Sequence, residues 1–219
     1  MSINKKRIAE RQRAAEAAAK KEKNAHTAAL VGAVAAIVAA VAVFAVAIVL
    51  IVSGSKTYYA DITIENYGTV TVKLDADAAP FTCENFITLA ESGFYDGLTF
   101  HRIMEGFMMQ GVDPDGNGTG GSSKKIKGEF SANGWDNPIS HVRGTISMAR
   151  SETYDSASSQ FFIVHEDSTF LDGKYAAFGQ VVAGMEVVDA ICTEAEPIDN
   201  NGTIPAAKQP VITSVTIRS

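Results

Sequence analysis

Cysteine, histidine and tryptophan are scarce in this sequence, and the scarcity of the first two argues against domains held together by disulfides or by zinc. The 219 residues include two cysteines, four histidines and one tryptophan. Two cysteines are too few for a disulfide scaffold, and with four histidines they leave little material for a structural zinc site. Because 46% of the residues are hydrophobic, we predict a fold stabilised by a packed core.

Basic charge is also scarce outside one end of the chain. The net charge is −6 at pH 7, which argues against a general nucleic-acid-binding protein. Residues 1–55 carry eight Lys or Arg against three Glu, a net charge of +5, so residues 56–219 carry the remaining −11. We therefore expect no nucleic-acid partner and two parts of opposite charge.

One long uncharged apolar segment, residues 28–52, lies between these two parts. As a helix it would be about 37 Å long, enough to cross a hydrocarbon core of about 30 Å. The segment is longer than the apolar region of a signal peptide, and no typical cleavage site follows it. It also lacks the polar face of a buried amphipathic helix. The sequence therefore predicts a transmembrane helix over residues 28–52.

The charges that flank this segment predict its orientation. By the positive-inside rule, the basic segment 1–27 stays in the cytoplasm and the acidic part is exported. A short linker, residues 53–57, would connect the membrane helix to an extracytoplasmic domain formed by residues 58–219. An exported compartment permits a disulfide, but the sequence does not decide whether Cys83 and Cys192 meet.

Within residues 58–219 the hydrophobic pattern predicts a mainly β domain with two helices. Phe86, Leu89 and Ala90 recur with helical spacing and indicate a helix over residues 80–93. A second short helix is predicted over residues 185–192. Strand-like segments occur at residues 58–64, 69–74, 98–103, 107–110, 144–149, 160–164, 177–182 and 211–218. Many short strands with only two helices favour a closed β-barrel or a sandwich.

Three familiar motifs are incomplete in this domain. Residues 116–121 match the spacing G-x-G-x-x-G, but the helical pattern that a dinucleotide site requires does not follow them. Asp113, Asp115 and Asn117 match a calcium loop, but the twelfth position of that loop is Lys124 in place of glutamate. No serine lies in a G-x-S-x-G sequence, so no residues recommend an extracytoplasmic hydrolase.

An arginine and two glutamines lie among aromatic and sulphur-containing residues. Arg102 falls in a largely apolar strand. Phe107, Met108 and Gln110 follow it within one short turn, and later in the chain Gln160 precedes two phenylalanines. This combination indicates a pocket with an apolar floor and a few fixed donors. A core strand with a surface arginine is the alternative that these residues leave open.

Short motifs in residues 58–218 carry more specific information than composition. They are FHRI at 100–103, GFMMQG at 106–111, NGTGG at 117–121, GTISMA at 144–149, SQFFI at 159–163 and LDGK at 171–174. Together they resemble the cyclophilin family of peptidyl-prolyl cis–trans isomerases. The resemblance implies a closed eight-stranded antiparallel β-barrel capped by two helices, which the predicted transmembrane helix would precede.

The resemblance also implies the chemistry and the site. Arg102 would stabilise the twisted amide of an Xaa–Pro bond and Gln110 would orient it by a hydrogen bond, so both are predicted as catalytic. The residues implied to bind substrate are Phe107, Met108, Gly118, Ala149, Arg150, Ser151, Gln160, Phe162, Phe170, Leu171 and Tyr175. No metal ion or cofactor is implied. The implied partners are unfolded or partly folded polypeptides that contain proline.

Three features depart from the usual pattern of the family. Phe170 and Tyr175 stand where tryptophan and histidine are common, and the missing indole N–H implies weak cyclosporin binding at most. Arg150 replaces a common asparagine, and the segment 151–158 is one residue longer than in familiar eukaryotic forms. We expect these changes to alter the preference for residues around proline more than the reaction.

Two classes of function remain open at this stage. The first is a membrane-tethered isomerase that acts on exported chains as they fold. The alternative is a non-catalytic, membrane-tethered peptide-binding or holdase module that uses the same groove. The presence of Arg102 favours the isomerase.

Overall fold

The computed structural model describes residues 56–219, which contain one antiparallel sheet and two α-helices. The strands are β1 (Tyr59–Ile64), β2 (Gly68–Leu74), β3 (Arg102–Met104), β4 (Met108–Gly111), β5 (Thr145–Met148), β6 (Phe161–Val164), β7 (Ala177–Ala183) and β8 (Ile212–Arg218). The helices are α1 (Pro80–Glu91) and α2 (Met185–Glu194). The eight strands and two helices predicted from the sequence are therefore confirmed.

The predictions for the basic segment 1–27 and for a transmembrane helix over residues 28–52 lie outside the described residues. Within residues 56–219, neither helix has the length and apolar composition needed to cross a bilayer. The membrane helix stays a prediction from the sequence.

The sheet forms a half-barrel with the strand order β3-β4-β6-β5-β7-β2-β1-β8. The predicted closure of the barrel is wrong, because β3 and β8 are the two edges of the sheet. Another part of the chain lies beside β3, where the Ile103 N–H donates to the Gly202 carbonyl at 2.8 Å. Nearby, the Ile204 N–H donates to the His101 carbonyl at 2.9 Å. The segment around Gly202 thus lies along β3, whereas the start of β8 bonds to residues before β3, where the Ile212 N–H donates to the Leu98 carbonyl at 2.8 Å.

The first helix begins at a buried carboxylate. Pro80 suits the first turn, since its missing N–H has no partner there. The backbone N–H groups of Phe81 and Thr82 donate to the two carboxylate oxygens of Glu129 at 2.9 and 2.8 Å. Glu129 is fully buried, and its negative charge meets the positive end of the helix dipole. This contact ties α1 to the long loop between β4 and β5.

An aromatic cluster fills the main core. Phe161 on β6 lies 5.7 Å from Phe86, 5.8 Å from Tyr95 and 6.2 Å from Phe100, measured between ring centroids. Successive side chains of a strand point to opposite faces of the sheet. Phe161 therefore faces this core, whereas its neighbour Phe162 packs in a separate, smaller apolar cluster. The main core packs against one face of these strands, and the candidate site lies on their opposite face.

The two cysteines do not pair in this fold. Cys83 on α1 and Cys192 on α2 are both free and buried. Burial raises the pKa of each thiol to about 12, so both are protonated at neutral pH.

Candidate active site

A small cavity of about 180 Å³ lies on the face of the sheet opposite the main core. Its lining residues are Arg102, Phe107, Met108, Gln110, Ala149, Arg150, Phe162, Leu171 and Tyr175. Every one of them is among the site residues predicted from the sequence. The register explains the assembly, because Arg102 on β3 pairs with Gln110 on β4, which pairs with Phe162 on β6.

The floor of this cavity is apolar. Met108, Phe162 and Leu171 are all at least 92% buried, and Phe107 packs against them from the rim. The Tyr175 ring meets the Phe162 ring edge-on, with centroids 5.9 Å apart. Such a cavity excludes water from a small apolar ring and leaves polar groups at one end only.

The guanidinium of Arg102 stands at that end, half-buried. Its Nε donates to the backbone carbonyl of Asn201 at 2.8 Å, and Nη1 donates to Oε1 of Gln110 at 3.2 Å. Burial lowers the pKa of Arg102, and nearby Tyr175 and Asp199 oppose that shift. The side chain stays charged, because an arginine in a protein is not deprotonated near neutral pH.

A one-way chain of hydrogen bonds holds the amide of Gln110. Its Nε2 donates to Oε1 of Gln160 at 3.0 Å, and Nε2 of Gln160 donates to the carbonyls of Gly118 and Gly120 at 3.1 and 2.8 Å. The carbonyls can only accept, so both amides are fixed in orientation. Gln110 consequently turns its oxygen to Arg102.

The loop that supplies those carbonyls is folded around one carboxylate. Asp113 accepts the backbone N–H groups of Asp115, Asn117 and Gly118 at 2.9, 3.2 and 2.6 Å. Burial would raise the pKa of Asp113, but these donors outweigh it and hold that pKa below its ordinary value. Gly118 has φ of +90°, which disfavours other residues there. The sequence that resembles a calcium-binding loop therefore forms a turn around Asp113.

A larger cavity of about 470 Å³ adjoins the small one and shares Gln110, Ala149 and Arg150 with it. The predicted site residues Gly118, Ser151 and Gln160 line this second cavity. Phe170 lines neither cavity. Its side chain is 62% exposed and its ring lies 5.6 Å from the Phe107 ring, so it forms an aromatic rim.

A Ser–His–Asp arrangement lies behind the floor of the small cavity, and no motif in the sequence indicated it. His141 Nδ1 is 2.8 Å from Oδ1 of Asp172, and Nε2 is 2.9 Å from Oγ of Ser147. Ser147 is completely buried, so its hydroxyl cannot reach a substrate. Burial lowers the pKa of His141, with Asp172 opposing. The His141 ring stacks on Phe162 at 6.0 Å and so supports the cavity floor.

Two contacts of Arg102 were also not predicted from the sequence. The carbonyl of Asn201 comes from 99 residues away, and any residue carries such a carbonyl, so the sequence holds no signal for it. The sulphur of Met104 lies 3.4 Å from Nη2 of Arg102. Met104 was visible beside Arg102, but a methionine in a strand suggests packing before it suggests an acceptor.

Known proteins share both the sequence pattern and the fold. Residues 59–217 match the family model described as cyclophilin type peptidyl-prolyl cis-trans isomerase/CLD. A peptidyl-prolyl cis-trans isomerase of Helicobacter pylori is 43% identical over 139 residues, which are 63% of this chain and 82% of the relative. Peptidyl-prolyl cis-trans isomerase B of Bacillus subtilis is 46% identical over 123 residues, 56% of this chain and 82% of the relative.

A solved structure agrees with these matches. A Cryptosporidium parvum cyclophilin type peptidyl-prolyl cis-trans isomerase superposes with a TM-score of 0.66 and 28% identity. The match covers 75% of this chain and 99% of that one. A second structure of that protein, in the presence of the dipeptide Ala-Pro, gives a TM-score of 0.65 and 30% identity over 74% of this chain and 99% of that one. The chain therefore belongs to the cyclophilin-type family, and it is a peptidyl-prolyl cis–trans isomerase.

Proposed function

We propose that the small cavity holds the proline ring of a polypeptide and that Arg102 catalyses rotation about the preceding peptide bond. Rotation faces a barrier of roughly 18–20 kcal/mol, because the amide C–N bond has partial double-bond character. In the twisted state the prolyl nitrogen regains a lone pair. A donor aimed at that nitrogen binds the twisted state better than either planar state, and such differential binding is catalysis.

The observation that carries this proposal is the position of an unneutralised guanidinium at the edge of an apolar cavity. Among the described residues, no carboxylate forms an ion pair with Arg102. Its acceptors are a backbone carbonyl, an amide oxygen and two thioether sulphurs at 3.4 and 4.0 Å. Thioethers are weak acceptors, so a substrate can take over the N–H groups that now face them.

Two measurements on the full 219-residue chain distinguish the proposal from the holdase alternative. The cis-to-trans rate of a short Xaa–Pro peptide and the aggregation of an unfolded client protein are measured on the same preparation, in mild detergent. Faster isomerisation in proportion to the chain concentration supports the proposal. A folded chain that suppresses aggregation without accelerating isomerisation would instead support a non-catalytic peptide-binding module.

Removing the amide that orients Arg102 should weaken catalysis. In Gln110→Ala, Nη1 of Arg102 loses its amide acceptor and the chain of hydrogen bonds to Gln160 ends. A hydrogen bond to a charged group contributes about 1.5–3 kcal/mol, so we expect kcat/KM to fall roughly tenfold, mainly through kcat. Thermal unfolding of the variant controls for folding. An unchanged kcat/KM would show that Gln110 does not position Arg102.

We further propose that residues 28–52 anchor the chain in a membrane and that the isomerase domain acts outside the cytoplasm, on exported polypeptides. The uncharged segment between parts of charge +5 and −11 supports this. Slow prolyl isomerisation limits folding, so an anchor would keep the enzyme where exported chains emerge. The Ala-Pro dipeptide used with the C. parvum relative supports proline-containing peptides as the partner class.

Protease added to intact spheroplasts tests this location. We expect the domain to be digested while a cytoplasmic marker protein survives, and a chain without residues 28–52 to leave the membrane fraction. Recovery of the full chain in the soluble fraction, without detergent, would contradict the proposal.

A further inference from the structure

The larger cavity has a local charge opposite to that of the domain around it. Residues 56–219 carry a net charge of −11, yet Lys125 and Arg150 both line this cavity, with Asp155 as its one acidic lining residue. Nζ of Lys125 lies 3.4 Å from Oγ of Ser158. Among residues 56–219, neither cation forms an ion pair with a carboxylate, so both positive charges remain unneutralised.

Arg150 is held in place before any substrate arrives. Its Cζ lies 4.8 Å from the ring centroid of Tyr175, 5.1 Å from that of Tyr154 and 5.2 Å from that of Phe130. Its Nε donates to the carbonyl of Lys174 at 3.0 Å, and Nη1 donates to two backbone carbonyls of the adjoining loop at 2.8 and 3.3 Å. These partners immobilise the side chain, so a ligand would meet a pre-ordered cation. Within the described residues, Nη2 makes no hydrogen bond.

The one acidic lining residue is already engaged. Oδ1 of Asp155 accepts the backbone N–H of Gly128 at 2.9 Å and Nδ2 of Asn133 at 2.7 Å. These two donors, and to a smaller extent the nearby charge of Lys127, hold the pKa of Asp155 below its ordinary value, so the carboxylate stays ionised. The lining of the larger cavity therefore carries two positive charges against one negative charge, a net charge of +1.

A peptide whose proline lies in the small cavity can extend directly into the larger one. The two cavities share Gln110, Ala149 and Arg150, and each residue of an extended chain advances about 3.3–3.6 Å. A side chain within three residues of the proline therefore reaches the larger cavity. We infer that this cavity binds a carboxylate side chain N-terminal to the proline, through Lys125 and Arg150. The inference rests on the proposed function, since it requires the proline in the small cavity.

The test compares peptides that differ by one charge. Glutamate or the isosteric glutamine is placed one, two or three residues before proline, and kcat/KM is measured with the full-length chain. At low salt we expect the glutamate peptide to be isomerised roughly three- to tenfold faster than its glutamine partner for at least one position. The ratio should shrink towards 1 at about 0.5 M salt, where screening is strong.

Two neighbouring lysines provide a matched pair of variants. Lys125→Gln should reduce the glutamate-to-glutamine ratio to about 1–2, and Arg150→Gln should also lower it. Lys124→Gln makes the same charge change at an exposed residue that lines neither cavity, and it should keep the ratio. An equal fall in Lys124→Gln would mean a general effect of net charge and would overturn the inference.

The outcomes separate this inference from the proposed function. Efficient isomerisation of glutamine peptides with a ratio near 1 at all three positions overturns the acidic preference and leaves the isomerase mechanism standing. A folded chain that isomerises none of the peptides overturns both.

Discussion

Arg102→Ala is expected to lower kcat/KM for an Xaa–Pro peptide by roughly a hundred- to a thousandfold. Losing one preorganised donor to a transition state costs about this much in enzymes where it has been removed. The substitution deletes the guanidinium that donates to Gln110 at the polar end of the small cavity. Because the lost contact is made in the twisted state, kcat should fall far more than KM rises.

Arg102→Lys separates the effect of charge from that of geometry. Lysine keeps the charge, but it lacks the planar fork that donates at once to Asn201 and to Gln110. We expect kcat/KM to decrease in the order wild type, Arg102→Lys, Arg102→Ala, with most of the activity already lost in Arg102→Lys. Equal activity of wild type and Arg102→Ala, in a chain with unchanged thermal unfolding, would mean that the apolar cavity and the remaining donors suffice.

Local motifs in the sequence indicated which residues line the small cavity, whereas they did not indicate the outline of the sheet. Three residues of the small cavity, Arg102, Gln110 and Phe162, lie in three short motifs, and the register of the strands brings them side by side. Motifs of that kind are local, and alternation along a strand decides which side chains share a face. Such information is present in a single sequence, even though the roles of these residues remain predictions.

The features that the sequence did not predict depend on contacts between segments that are far apart along the chain. The prediction of a closed barrel was wrong because the segment around Gly202 lies against the edge of β3. Nothing in the composition of that segment indicates a strand-like contact. The carbonyl of Asn201 and the pair of His141 with Asp172 were missed for the same reason. Lys125 stands in a polar loop, where a lysine is ordinarily a solvated charge, and only the cavity beside it gives it a role.

The second large effect concerns stability and follows from the position of Phe161. Its side chain is fully buried and is surrounded by the rings of Phe86, Tyr95 and Phe100. Truncating such a phenylalanine to alanine costs about 3–5 kcal/mol, since apolar contacts are lost and a cavity remains. Domains are stable by only about 5–15 kcal/mol, so Phe161→Ala should remove a large part of the total.

Urea unfolding of the full-length chain in mild detergent measures this effect, with the fluorescence of Trp135 as the signal, because it is the chain's one tryptophan. Phe170→Ala removes the same atoms from a side chain that is 62% exposed, and it should cost about 1 kcal/mol or less. Phe161 and Phe162 point to opposite faces of β6, so loosening the core also loosens the strand that carries the cavity floor. We therefore expect Phe161→Ala to lose isomerase activity at a lower temperature than Phe170→Ala. Equal unfolding midpoints for the two variants would contradict the assignment of Phe161 to the centre of the core.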